Sequence, residues 1–283
     1  MKSKYQLIRG ECLEKMEDIE SQSVDLILCD LPYGTTDRHG IGKKERNRLY
    51  EWDNVIPLDM LWNCYRRILK PHGSVVLTAD QPFTSLLVVS NLDWFKYEWI
   101  WQKSKTTGFL LANYRPMKKT EDILVFSPMG ASAASHKAGK SMTYNPQGLI
   151  PKNVKKKNNA KRLGKFLHNP EFMGKGNKLL HESEYEQKWT NYPNEIIEFS
   201  LEKNNVHPTQ KPVSLMEYLV KTYSNEGELV LDNCMGSGTT GIACGMTNRN
   251  FIGIEMDEKF FDISKNRIEK AYSKEIVTDN LFF

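Results

Sequence analysis

The sequence predicts an α/β fold with a doubly wound, mostly parallel sheet and one basic insertion. Apolar strand patterns alternate with amphipathic helix patterns over residues 24–127 and again over residues 206–271, an order typical of a parallel sheet covered by helices. Between them lies a stretch rich in Lys, Asn, Gly and Ser without sustained periodicity. We therefore predict one domain built from residues 1–127 and 206–283, interrupted by an insertion over residues 128–205.

The first half of the chain carries the patterns that begin this sheet. Val24–Cys29 is a continuous apolar run, typical of a strand covered on both faces. Over residues 58–69 the apolar side chains recur along one helical face, and the following "KPHG" is expected to end that helix. The other elements predicted here are a helix at Phe83–Ser90 and strands at residues 74–79, 95–101 and 121–127.

The second half contains a strand–turn–helix–strand unit. "SLMEYLVKTYS" (residues 214–224) has the spacing of an amphipathic helix. The predicted elements after it are the strand "ELVLD", a glycine-rich turn, a short helix from about Thr239, the strand "FIGIE" and a helix over residues 258–271. This order predicts two parallel strands joined by a crossover helix.

The distribution of charge favours a polyanionic partner. Charged residues make up 26% of the 283 residues, and the formal net charge is +4. Residues 131–190 hold 12 Lys or Arg against 4 Glu, so the positive excess is concentrated in the insertion. Concentrated positive charge indicates a partner such as DNA more strongly than a weak global excess does.

Cysteine usage and hydropathy predict a cytoplasmic protein. The five cysteines never occur as C-x-x-C, which favours reduced core residues over a disulfide set or a metal site. The scattered histidines show no ligand spacing, so we predict no metal. No apolar run is long enough to cross a bilayer, and the start "MKSKYQLIRGE" lacks the apolar core of a secretory signal.

The glycine-rich turn predicts a nucleoside pocket. One strand ends at Asp232, the turn passes through Gly236 and Gly238, and the next strand ends at Glu255. Glycines permit a close approach of the backbone to a ligand, and an acid at the end of the second strand accepts hydrogen bonds from ribose hydroxyls. The alternative is that this segment is a simple strand, turn and helix that binds no ligand.

Three ligands compete for such a pocket. "GSGTTG" matches the G-x-G-x-x-G pattern of dinucleotide sites, but three residues separate its first glycine from Asp232 at the strand end. A P-loop is excluded because no Lys follows the glycines. Asp232 would repel a pyrophosphate and attract a cation, which favours S-adenosylmethionine, a ligand with a ribose, an ammonium and no phosphate.

The stretch "DLPY" predicts a site for an exocyclic amine of a base. Pro32 disfavours a helical conformation at Leu31 and so favours presenting the Leu31 carbonyl at the end of the strand. That carbonyl and the Asp30 carboxylate are two acceptors for an amino group, and Tyr33 supplies a ring that can stack on an extruded base. The alternative is a turn capped by Asp30 with Tyr33 in packing.

The motifs together resemble those of amino-methylating DNA methyltransferases. "DLPYG" is similar to their D-P-P-Y motif, "LDNCMGSGTT" to their D-P-F-x-G-x-G-T motif, and "HPTQKP" to the segment before it. The order of catalytic motif, basic insertion and cofactor motif resembles the permuted β class, particularly phage-type members. The resemblance implies a Rossmann-like methyltransferase sheet, S-adenosylmethionine as cofactor, double-stranded DNA as substrate and, as is common in this class, a homodimer.

The resemblance also implies roles for individual residues, by position in the motifs. It makes residues 1–127 the catalytic half, the insertion the target-recognition region and residues 206–283 the cofactor-binding half. Asp30, Leu31, Pro32 and Tyr33 are expected to hold the target amine. The expected cofactor-binding residues are Glu11, Lys211, Asp232, Gly236, Gly238, Thr239 and Glu255.

Several departures from the family pattern bear on these roles. Leu31 replaces the first Pro of D-P-P-Y, Asn233 and Cys234 replace the Pro and Phe of the glycine motif, and Glu11 stands where Asp is usual. Asp30 favours adenine N6 as the target, since cytosine-N4 enzymes more often carry Ser at this position. Cytosine N4, an RNA substrate and a non-catalytic DNA-binding module remain as alternatives.

Two basic segments are predicted to contact phosphates. The loop after "DLPYG" (residues 34–53) is interpreted as a flap over the site. The insertion supplies a second run of cations, although such runs are often only solvated faces. The predicted nucleic-acid-binding residues are Arg38, Lys43, Lys44, Arg46, Lys155, Lys156, Lys157, Lys161 and Arg162.

Overall fold

The computed structural model describes residues 4–34, 55–157, 184–202 and 210–273. It separates into a larger unit of Met1–Asn145 with Asn194–Phe283 and a smaller unit of Pro146–Pro193. The smaller unit is shorter than the predicted insertion of residues 128–205. Residues at both ends of the predicted insertion belong to the larger unit, because Met142 packs in its core and Ile197 lies in its sheet.

Ten strands are present in the described residues. They are β1 (Tyr5–Arg9), β2 (Val24–Cys29), β3 (Leu69–Ala79), β4 (Phe95–Thr107), β5 (Lys118–Phe126), β6 (Ile150–Lys157), β7 (Glu184–Thr190), β8 (Ile196–Phe199), β9 (Leu229–Asp232) and β10 (Asn250–Glu255). Eight of them form one sheet in the order β1-β10-β9-β2-β3-β5-β4-β8. Within it only β5 runs antiparallel to its described neighbours. The other two, β6 and β7, pair antiparallel in the smaller unit.

Helices pack on both faces of the large sheet. Six helices of the described residues do so: α1 (Cys12–Met16), α2 (Leu58–Ile68), α3 (Phe83–Ser90), α5 (Val213–Tyr223), α6 (Thr239–Met246) and α7 (Glu258–Tyr272). The short helix α4 (Ala133–Lys137) buries none of its residues. Leu28 faces a core with α5, α6 and α7, whereas its neighbour Ile27 faces a core with α1, α2 and α3. The predicted doubly wound α/β fold is confirmed. Within the described ranges, no helix has the length and apolar character needed to span a membrane.

Strand β3 begins earlier than the sequence suggested. The "KPHG" segment, predicted to end a helix, lies inside β3, and the pairing register with β2 shifts between Val24↔Leu69 and Leu26↔Ser74. The Lys70 ammonium lies 2.8 Å from the Asp25 carboxylate of β2, which holds this irregular pairing. Gly73 is required there, because a Cβ atom would come within 2.8 Å of the Asp25 backbone oxygen.

Candidate active site

Three predicted acids lie at one edge of the large sheet. Asp30 follows the end of β2, Asp232 ends β9 and Glu255 ends β10. These strands are parallel neighbours, with Ile27 paired to Leu231 and Gly253 paired to Asp232. The carboxyl ends of parallel strands are where open α/β sheets bind ligands. The fold therefore brings the "DLPY" segment and the glycine turn together.

Asp30 is held by hydroxyl groups. The Tyr33 hydroxyl lies 2.7 Å from Asp30 Oδ1, and the Thr78 hydroxyl of β3 donates to the same oxygen. The Tyr33 ring stacks on Phe83 at 5.4 Å between ring centroids. Leu31 is buried, which fixes the backbone between the carboxylate and the ring. These contacts orient Asp30 in the free protein.

A buried network of charges adjoins Asp30. The Lys211 ammonium lies 2.8 Å from Asp30 Oδ2 and 2.9 Å from Glu121 Oε1. Glu121 in β5 also accepts the Lys103 ammonium of β4 at 2.8 Å, on its Oε2 atom. Lys211 and Glu121 are both buried. Asp30 is thus one member of a four-residue ionic cluster.

The network fixes the ionisation states of its members. Burial raises the pKa of Glu121, but Lys211 and Lys103 outweigh it and lower that pKa to about 2. Burial lowers the pKa of Lys211, yet Asp30 and Glu121 raise it above its usual value. Burial, together with Asp30 and Glu121, raises the pKa of Tyr33. At neutral pH the cluster holds a carboxylate, an ammonium and a neutral phenol side by side.

The two acids of the cofactor half differ in their surroundings. Burial raises the pKa of Asp232 to about 7, although hydrogen bonds from Thr240, Cys29 and the Cys234 amide oppose the shift. Glu255 accepts the Gly236 amide at 2.9 Å on Oε2 and the Asp257 amide at 2.8 Å on Oε1. Both acids are fixed by hydrogen bonds to the chain, and each retains acceptor capacity for a ligand.

The glycine turn needs both of its glycines for different reasons. Gly236 has a φ of +49° and Gly238 a φ of +79°, in the left-handed region that favours glycine. A Cβ at Gly238 would come within 2.9 Å of Ser264 Cβ on α7, whereas a Cβ at Gly236 would meet nothing within 4 Å. Gly238 therefore lets α7 approach, and Gly236 borders open space.

Asn233 and Cys234, which replace the Pro and Phe of the family's glycine motif, both make defined contacts. The Tyr65 hydroxyl donates to Asn233 Oδ1 at 2.7 Å, and both side chains are buried. Cys234 packs on the apolar cluster that contains Cys12 and Cys29. Asn233 and Cys234 thus fill the space below the turn with a hydrogen bond and a small thiol instead of an aromatic ring.

Comparison with known proteins identifies the family. Residues 24–266 match the family model described as DNA methylase (N6_N4_Mtase). The chain belongs to this DNA methylase family. The resemblance predicted from the motifs is confirmed.

Relatives cover nearly the whole of this DNA methylase. The Type II methyltransferase M.HpaI of Haemophilus parainfluenzae is 28% identical, with 94% of this chain and 75% of that protein covered. The DNA adenine methyltransferase YhdJ of Escherichia coli (strain K12) is also 28% identical, with 95% and 85% covered.

Solved structures share the fold. The M1.HpyAVI–SAM complex has a TM-score of 0.56 at 23% identity, covering 93% of this chain and 99% of that one. The PvuII DNA methyltransferase (cytosine-N4-specific) has a TM-score of 0.60 at 16% identity, covering 96% and 93%. The Rossmann-like fold predicted for this DNA methylase is therefore confirmed.

Two predicted cofactor residues make other contacts in the free protein. Glu11 caps α1 by accepting the Glu14 amide at 2.9 Å. It adjoins the end of β10, because the Gly10 amide donates to the Glu255 backbone oxygen at 3.0 Å. Lys211 contacts Asp30 and Glu121, on the "DLPY" side of the site. The cofactor roles of Glu11 and Lys211 stay predictions.

Only some of the predicted phosphate-binding residues fall within the described residues. Arg38, Lys43, Lys44, Arg46, Lys161 and Arg162 lie outside the described residues. Lys155 and Lys156 are exposed on β6, and Lys157 ends that strand. Lys155 pairs in register with Glu186 of β7, so an acid offsets part of the positive charge on this face.

Sequence reasoning missed three members of the site in this DNA methylase. Thr78, Glu121 and Lys103 come from three different strands and meet only through the pairing of β3, β5 and β4. One signal was present for Glu121, since two acids, Glu121 and Asp122, stand directly before the apolar run "ILVF" of a predicted strand. A buried charge almost always needs a partner, so such a position marks a network.

Proposed function

We propose that the protein transfers a methyl group from S-adenosylmethionine to the exocyclic N6 amine of adenine in double-stranded DNA. The pairing of β2 with β9 is the observation that carries this proposal. Hydrogen-bonded strands lie about 4.8 Å apart, so the amine acceptors after β2 adjoin the nucleoside pocket after β9. A donor and an acceptor of a methyl group need this proximity.

The residues around the glycine turn fit the cofactor. Buried Asp232 suits the ammonium of the methionine part, and oriented Glu255 suits the ribose hydroxyls. The open space beside Gly236 allows the ligand to approach the backbone. Thr239, Gly238 and Glu11 complete the proposed pocket. S-adenosylmethionine supplies a methyl group already activated by its sulfonium.

On the acceptor side, Asp30 and the Leu31 carbonyl bind the two N–H bonds of the target amine. Amine and Lys211 compete for Asp30 Oδ2, so binding of the base requires the Lys211 ammonium to leave that oxygen. Glu121, which already accepts Lys211 at 2.9 Å, retains it. Asp30 then faces the amine with its full negative charge and stabilises the positive charge that develops on nitrogen as the N–C bond forms and the S–C bond of S-adenosylmethionine breaks. S-adenosylhomocysteine is the leaving group, and the methylated nitrogen gives up one proton to solvent.

The base reaches this site outside the helical stack. Attack in line with the sulfonium is impossible for a stacked base, so the adenine is flipped into the pocket. Pro32 shapes the backbone and Tyr33 supplies a ring beside the base. Lys155, Lys156 and Lys157 of the smaller unit contact phosphates, as do the basic residues of the flap.

The homodimer is also part of this proposal, and analytical ultracentrifugation of the purified protein tests it.

The choice of adenine rests on Asp30 and on relatives such as the DNA adenine methyltransferase YhdJ. The decisive experiment supplies the protein with tritiated S-adenosylmethionine and DNA from a methylation-deficient host. We expect N6-methyladenine in one sequence context, identified by nucleoside chromatography and sequencing. If N4-methylcytosine is found instead, the target base is cytosine. If a parallel reaction with RNA is labelled and the DNA is not, the substrate is RNA. If neither is labelled, the protein is a DNA-binding module without this activity.

A further inference from the structure

The hairpin that joins β4 to β5, residues 103–119, exposes large apolar side chains at its tip. Phe109 is 78% exposed, Leu110 93% and Tyr114 85%. The tip is a defined turn, because the Leu111 amide donates to the Gly108 carbonyl at 2.9 Å and the Tyr114 amide to the Leu111 carbonyl at 2.9 Å. Apolar groups held together in water mark an interaction surface.

The same hairpin is strongly basic. It contains five Lys or Arg and no acid. Lys105, Arg115 and Lys119 are exposed around the apolar tip. Clustered cations without intervening acids are complementary to a polyanion, and their attraction to phosphates is independent of sequence.

Ion pairs connect the base of the hairpin to the residues of the active site. Lys103 binds Glu121, which in turn accepts Lys211 at 2.9 Å beside Asp30. On the other side, Lys118 is paired with Asp80, which directly follows β3. The apolar tip therefore projects from the edge of the sheet at which Asp30 lies.

We propose that this hairpin inserts its apolar tip into the DNA duplex beside the flipped adenine, while its cations contact the flanking phosphates. The inference rests on the proposed function. Flipping unstacks a base step and leaves a gap in the helix. An apolar side chain in that gap replaces part of the lost stacking and lowers the cost of keeping the base outside. Phe109 and Leu110 are the residues placed to fill it.

Two other partners fit an apolar basic tip less well. A second copy of this chain would need an acidic apolar surface, and an anionic membrane would have no reason to meet the hairpin at the catalytic edge. DNA matches the charge, the apolar wedge and the position together. The other two partners are therefore outcomes of the test.

The test compares the double variant F109S/L110S with wild type on two duplexes that carry the mapped methylation site. One duplex is fully paired, and the other has a mismatch opposite the target adenine, which lowers the cost of flipping. Leu92→Ser is the matched control, because Leu92 is 63% exposed and precedes β4 at the opposite edge of the sheet. Single-turnover methyl transfer is measured under saturating S-adenosylmethionine.

We expect F109S/L110S to slow transfer to the paired duplex between about tenfold and about a hundredfold. On the mismatched duplex the variant should approach the wild-type rate, and 2-aminopurine at the target position should report less flipping only in the paired duplex. Leu92→Ser should match wild type on both.

Three results would overturn the inference. The first is that F109S/L110S methylates the paired duplex at the wild-type rate. The second is that it loses the same factor in rate on both duplexes. The third is that it flips the base as wild type does but no longer dimerises in analytical ultracentrifugation, or no longer binds anionic vesicles. If wild type itself transfers no methyl group to any DNA, the proposed function has failed. If wild type transfers and the variant equals it, only the hairpin assignment has failed.

Discussion

The Lys211 ammonium lies 2.8 Å from Asp30 Oδ2 and 2.9 Å from Glu121 Oε1. In the free protein a cation therefore occupies an oxygen that we assign to the target amine. A second acceptor for Lys211, Glu121, lies at nearly the same distance. The pair of carboxylates lets the ammonium leave Asp30 without losing its ionic partner, which is the condition for a charged Asp30 in the reaction.

Lys211→Met should lower the free energy of unfolding by about 3 kcal/mol, because removing one partner leaves buried carboxylates undercompensated. Urea unfolding of the purified protein measures the change. Lys221→Met is the matched control on α5. Its ion pair with Glu217 is partly exposed, so a loss of about 0.5 kcal/mol or less is expected. Equal effects of the two substitutions would contradict the buried network.

Glu121→Gln should change how stability depends on pH. The pKa of Glu121 is lowered from 4.5 to about 2 in the folded protein. Its carboxylate therefore stabilises the fold above about pH 4.5, and this contribution is lost as pH falls toward 2. The difference in unfolding free energy between wild type and Glu121→Gln should narrow from pH 6 toward pH 3. A constant difference over that range would show that Glu121 is not the titrating group.

Binding of S-adenosylmethionine should strengthen as Asp232 ionises. Burial raises the pKa of Asp232 from 3.8 to about 7, so the folded protein holds this carboxyl largely neutral at pH 6. The charged form is the one that binds an ammonium. Affinity measured by calorimetry should rise about fivefold from pH 6 to pH 7 in wild type. Asp232→Asn should bind more weakly and lose this dependence, and a pH-independent wild type would refute the assignment.

Substituting the two turn glycines should separate stability from ligand binding. Gly238→Ala should destabilise the fold by about 2–3 kcal/mol, because it adds a close contact with α7 to an unfavourable φ. Gly236→Ala carries the backbone cost alone, about 1 kcal/mol, and places a methyl group in the space proposed for the cofactor. In thermal unfolding, Gly238→Ala should therefore melt at a lower temperature than Gly236→Ala. Calorimetry should show that folded Gly236→Ala binds the cofactor more weakly than wild type. The reverse ranking would contradict the packing described.

The sequence predicted the positions of the strand ends well. Asp30, Asp232 and Glu255 each follow an apolar run, and such a run followed by an acid marks where a buried strand reaches the surface. Parallel order then requires the three acids to share one edge. The predicted fold and family were confirmed for this reason, since both depend on local patterns and on their order along the chain.

Contacts that depend on register were not predictable in this way. Glu121 faces the site because Trp101 pairs with it and Ala79 pairs with Asp122, and no local pattern specifies those pairings. The edge strands β1 and β8 were also missed. They are only 5 and 4 residues long and partly exposed, so their apolar periodicity is weak.

The most direct test of the account is single-turnover methyl transfer by Asp30→Asn. Asp93→Asn, an exposed aspartate before β4, is the matched control. We predict that Asp30→Asn loses about a hundredfold to about a thousandfold in transfer rate, with affinity for S-adenosylmethionine within about twofold of wild type. Asp93→Asn should retain the wild-type rate. Transfer by Asp30→Asn at the wild-type rate would contradict the assignment of Asp30 as the acceptor for the target amine.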